Sequence, residues 1–184
     1  MPSSTRTSPC GPIDQPVAHV KTNSILSPFL ATAALCLLSA CDYEFPATAG
    51  PTRGVDEKLV GDWITFDKDE HKDLAMHVRK LDEFNYVVSV DSDIYRAYHS
   101  DLDKLSLLSV QDLNSESRKY LFYTWKLSAD GKQLTLRRVT SELVPESTKD
   151  AVALQSLLNK NAANPKLLGE ELMFTRKPPP KIGN

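Results

Sequence analysis

The sequence predicts a mostly β fold, a small antiparallel sheet that curls on itself or closes as a barrel, with one C-terminal α-helix. Three observations carry this. Between residues 63 and 139, seven short segments rich in aromatic and β-branched residues recur between turn residues. The apolar period then lengthens, with Val152, Leu154, Leu157 and Leu158 at helical spacing. A last strand-like run, residues 172–176, follows that helix.

In order, residues 63–66 open the domain and end in the acidic stretch 67–73. Leu74, Met76 and Val78 alternate with Ala75, His77 and Arg79, the period of a half-buried strand. Residues 84–90 lie between Asp82-Glu83 and Asp91-Ser92. In 94–100, Tyr95, Ala97 and His99 share one face, and Arg96 and Tyr98 the other. Residues 105–110 lead into a loop at 111–118. Residues 119–127 place Leu121, Tyr123, Trp125 and Leu127 on one side. Ala129-Asp130-Gly131-Lys132 turns this strand into 134–139, the clearest hairpin of the chain. Such spacing suits a meander. Ser147 or Thr148 is placed to cap the helix, which ends between Asn159 and Asn164 because Pro165 cannot continue it. Residues 177–184, with three consecutive prolines, read as a disordered tail.

The N-terminal part has a different composition. Residues 24–40 carry no charge, fewer than the roughly 20 apolar residues a spanning helix needs, and include Pro28. Lys21, the apolar centre 29–38 and the small pair Ser39-Ala40 have the layout of a secretory signal. Leu38-Ser39-Ala40-Cys41 resembles the lipobox of bacterial lipoproteins. That resemblance implies a leader over 1–40, removed at Cys41, and a thioether-linked lipid with further acyl (palmitate-type) chains on the new N-terminal residue. It implies a membrane-bound protein on the extracytoplasmic, periplasmic face. In enteric lipoproteins an aspartate after the cysteine, the place of Asp42, favours the inner membrane. Residues 1–19 are rich in Pro and Ser and read as disordered by composition. A start at Val20, read from a GTG codon, gives the signal an ordinary length.

Residues 41–56, two prolines and two glycines without periodicity, are expected to be a flexible tether spanning about 20–25 Å. The single folded domain is then 57–176. Within it, Gly61-Asp62-Trp63 entering a first strand resembles the start of lipocalins and of small lipocalin-like lipoprotein domains. The resemblance implies that Trp63 packs across the closed end of a barrel. It also implies a late helix before a closing strand. The domain is shorter than a lipocalin, which implies a shortened barrel.

Cys10 and Cys36 fall in the leader and Cys41 is the acylation candidate, so the mature chain has no thiol pair for a disulfide, thiol catalysis or a cysteine–zinc site. Lys and Arg number 22 against 24 Asp and Glu, without the basic footprint of a nucleic-acid binder. Asp67, Asp69, Glu70, His71 and Asp73 could offer oxygens to a hard cation, but their spacing is not an EF-hand and suits a solvated hairpin tip. His99, near Asp101 and Asp103, or His77 could act as a general base, yet no nucleophile motif or phosphate loop accompanies them. The reading is therefore non-catalytic, with no cofactor and no metal. One alternative is a carrier whose apolar pocket is lined by Tyr86, Tyr95, Tyr123 and Trp125, with Arg96, Arg137 or Arg138 holding a polar head. The other is a protein-interaction domain with a filled core and an exposed apolar strip along 152–158. A hydrolase is a distant third. A hollow interior separates the first from the second.

Overall fold

A computed structural model describes residues 42–67 and 71–178, save the side chain of Asp67. The leader, Cys41, the centre of the acidic stretch at 68–70 and the end of the tail lie outside the described residues. Eight antiparallel strands run in chain order around a closed barrel: β1 (Gly61–Asp67), β2 (Lys72–Lys80), β3 (Asn85–Val90), β4 (Asp93–Asp101), β5 (Ser106–Asp112), β6 (Tyr120–Leu127), β7 (Gln133–Val139) and β8 (Leu168–Arg176). One helix, α1 (Ala151–Asn161), and a 3₁₀ turn, Pro165–Leu167, separate β7 from β8. The predicted architecture is thus the observed one.

The registers show how the alternation builds a wall with two faces. Met76, Val78, Val88, Tyr86, Ala97 and Val110 point inward on successive strands. His77 and Arg79, one residue out of phase on β2, face solvent. The tight β6–β7 turn needs Gly131 at φ 68, where a side chain would be strained.

Two apolar clusters result. One lines the barrel interior, from Trp63, Tyr86 and Phe174 up to Val90 and Val110. The other lies on the outer wall, where Leu107, Phe122 and Val139 are covered by Leu154 and Leu158 of α1. Asp150, two residues after the expected Thr148, is the N-cap, its carboxylate accepting from the Ala153 amide at 2.8 Å. Of the strip expected to be exposed, Leu154 and Leu158 are buried and only Val152 stands clear, at 77% exposure. The spacing marked a packing face correctly, but the barrel itself is its partner.

Residues 42–56 do not behave as a free tether. Tyr43 pairs with Tyr120 through two backbone hydrogen bonds of 2.8 Å, beside the end of β6 that β7 leaves uncovered. Its ring lies 4.9 Å from that of Phe122, and its hydroxyl donates to the Val144 carbonyl at 2.9 Å. Farther along, Thr52 bonds the His99 carbonyl and Val55 the Glu83 carbonyl, each at 2.9 Å. Composition suggested slack, but Tyr43 and Ala47 supply apolar surface and the backbone finds partners, so the segment becomes a strap along the wall.

Candidate functional site

The strands end alternately at two rims. The starts of β1, β3, β5 and β7 lie at one end, which is closed. Trp63 is buried there, and its Nε1 donates to the Leu59 carbonyl at 3.0 Å. The Arg176 guanidinium stacks over the indole at 4.2 Å. It also donates to the carbonyls of Gly131 at 2.9 Å, Val60 at 2.8 Å and Lys58. One cation thus ties the approach to β1, the β6–β7 turn and the last strand into a plug. A side chain at Gly61 would run into Arg176 Nη1.

Above the plug is a cavity of about 230 Å³. Leu59, Tyr86 and Phe174 line its floor, Val88, Ala97 and Val110 its waist, and Leu74, Tyr95, Tyr123 and Leu172 its upper part. The floor residues are buried, whereas Leu172 is 47% exposed, so the cavity opens at the rim opposite Trp63. The lining is almost wholly hydrocarbon and aromatic. Pockets for drug-sized ligands run about 300–1,000 Å³, so this one suits a narrow guest.

Of the predicted lining residues, Tyr86, Tyr95 and Tyr123 take their places. Burial pushes the hydroxyls of Tyr86 and Tyr95 up to about 12, so both stay neutral. Trp125 points inward but packs on His99, ring centroids 4.8 Å apart. Arg96 is a correction. It lies on the outer face of β4 over Tyr98, 5.6 Å from its ring, because it is one residue out of phase with Tyr95 and Ala97. Arg137 is also outside, donating to the carbonyls of Gly169 and Leu168, both at 3.0 Å. Arg138 sits at the open rim, 3.5 Å from the Asp42 carboxylate. The aliphatic lining was legible as alternation, but only closure of the sheet made it a container.

The two histidines do not meet, since β3 separates their strands. His77 faces outward, 2.8 Å from Asp62, whose carboxyl is held below its usual value by hydrogen bonds from His77 and Arg79. His99 is wholly buried. Arg53 Nη2 lies 3.3 Å from its Nδ1, and the Tyr86 hydroxyl 2.8 Å from its Nε2. A guanidinium can only donate, so the ring proton belongs on Nε2, facing Tyr86. Burial first, and then the Arg53 charge, lower the His99 pKa to about 4. Ser100 and Ser109 bond each other at 2.7 Å on the outer face, away from this ring. Among the described residues no group of three His, Cys, Asp or Glu could hold a metal ion, and no helix is long and apolar enough to cross a membrane.

No family model, curated protein or solved structure matches the chain, so the functional argument rests on this geometry.

Proposed function

We propose that this is a lipid-anchored extracytoplasmic protein whose barrel binds a small apolar ligand without catalysis. The observation that carries the reading is the cavity of about 230 Å³ with a hydrocarbon lining inside the closed barrel. A filled core would favour an interaction domain, and Leu154 and Leu158 of the helix strip are packed against the barrel wall. The polarity of the wall also argues for a container. Membrane-spanning barrels turn apolar residues out and polar ones in, whereas here Met76 and Val78 face in and His77 and Arg79 face out. His99 is an unpromising base, because its lone pair already accepts from Arg53 and its charged form is disfavoured.

The anchor at Cys41, the removal of residues 1–40 and the lipocalin-like kinship belong to the same proposal. They rest on Leu38-Ser39-Ala40-Cys41 and on the Gly-x-Trp entry, with Trp63 closing one end under Arg176. The Cys41→Ser protein should leave the membrane as an intact domain or accumulate as unprocessed precursor; normal processing with unchanged membrane residence would refute lipidation. Native mass spectrometry of the released variant tests binding. A co-purifying small molecule, or uptake of an added long-chain fatty acid, is expected. A clean apo mass with no uptake would overturn the carrier reading.

A further inference from the structure

The barrel is zipped unevenly. β7 and β8 pair from Gln133↔Thr175 to Val139↔Leu168, but β1 and β8 pair only at Trp63↔Arg176 and Ile64↔Thr175. Extending that register toward the open rim would set Phe66 opposite Met173. Both side chains face outward, 57% and 63% exposed, and among the described residues no ladder joins β1 to β8 above Ile64. On the β8 side of this parting, Leu172 and Phe174 line the cavity, and Leu172 is half exposed. The unladdered stretch of this seam thus runs beside the apolar cavity and carries an exposed apolar residue on each strand.

The strap supplies a second, independent observation. Tyr43 is bridged to Tyr120 at the open rim, and Asp42 lies against Arg138 on the same rim. Asp42 is therefore fixed at this rim, and it is one residue, a Cα step of about 3.8 Å, from Cys41 in the chain. A lipid on Cys41 would press the open end of the barrel, rather than the plugged end, toward the bilayer.

We propose that the open rim, together with the parted upper seam between β1 and β8, is the surface that meets a lipid bilayer, and that a single acyl chain of a bilayer lipid enters the cavity through it. This rests on the carrier reading above. An acyl chain crossing water would be exposed along its length, whereas passage between Phe66 and Met173 keeps it against apolar surface throughout. The neighbouring Glu170 and Glu171 hold the contact in the headgroup layer, where the unpaired strand edges also find hydrogen-bonding partners.

The test uses the mature acylated protein on phosphatidylcholine vesicles carrying a headgroup-level nitroxide. With Cys41 blocked by its lipid, Met173→Cys at the seam and Phe84→Cys at the plugged end can each be labelled with an environment-sensitive fluorophore. The Met173→Cys label should be quenched several-fold more strongly; equal quenching, or stronger quenching at Phe84→Cys, overturns the orientation. A long Gly/Ser insertion between Cys41 and Asp42 should abolish the difference, and an unchanged difference would overturn the role of the short attachment. For the portal, Phe66→Glu with Met173→Glu should slow uptake of a fluorescent fatty-acyl lipid from vesicles several-fold while leaving uptake of a free fluorescent fatty acid from solution unchanged. No slowing, or equal slowing from both sources, overturns it. If the unaltered protein loads from neither source, the carrier reading itself has failed.

Discussion

Arg176 joins three otherwise separate carbonyls, of Lys58, Val60 and Gly131, while its guanidinium covers Trp63. A lysine could supply the charge but not the planar fork. Arg176→Ala should therefore destabilise the fold by about 2–4 kcal/mol, and Arg176→Lys should recover only part of that in urea unfolding. His99 gives a pH signature. Its folded pKa of about 4 lies below the ordinary 6.5, so the folded state binds fewer protons than the unfolded chain. Its contribution is fully present above pH 6.5 and is lost as pH falls toward 4. Protonation would place a second cation against Arg53, with Asp56 and Asp101 offsetting it only in part. His99→Gln should flatten the decline in urea midpoint between pH 6.5 and 4; a decline as steep as in the parent would show that another group controls it.

At the scale of elements, the strap and the cavity wall respond to substitution in opposite ways. Tyr43 is 1% exposed and packs on Phe122, so Tyr43→Ala should cost about 3–5 kcal/mol, as for large aromatic truncations in a core. Tyr43→Phe removes the hydroxyl that donates to Val144 at 2.9 Å and lies 3.5 Å from the Thr140 carbonyl, and should cost about 1 kcal/mol. A true tether would register neither change by thermal unfolding. Ala97 lies on the waist of the cavity, between Tyr86 on β3 and Val110 on β5. In a packed core Ala97→Leu would cost about 1–3 kcal/mol. Here the added carbons enter empty space, so stability should hold or rise while fatty-acid uptake falls. The strap was illegible because Pro and Gly composition reports local stiffness and says nothing about distant partners such as Tyr120.

The described domain behaves as a small vessel, plugged by Trp63 and Arg176, unladdered above Ile64 on one seam and sheathed by α1 and the strap. A ligand that binds only the closed barrel stabilises it by mass action, by about 2.7 kcal/mol at a hundredfold excess over Kd. Long-chain fatty acid should therefore raise the thermal midpoint, and the Ala97→Leu protein should show a smaller rise under the same conditions. An unchanged midpoint in both would count against occupancy of the cavity.

The sequence by itself determined the strand order, the inward and outward sets of residues, the hairpin at Gly131 and the late helix. These follow from local periodicity and turn chemistry, which need no knowledge of distant contacts. Tertiary structure alone decided the rest. Whether the sheet closed, whether its interior stayed empty, and that Arg176 seals the floor all depend on strand tilt and register. The strap, the face that α1 covers and the parting between Phe66 and Met173 depend on residues far apart in the chain meeting in space. Periodicity chooses the face on which a side chain lies; only the closed barrel decides whether that face encloses a cavity.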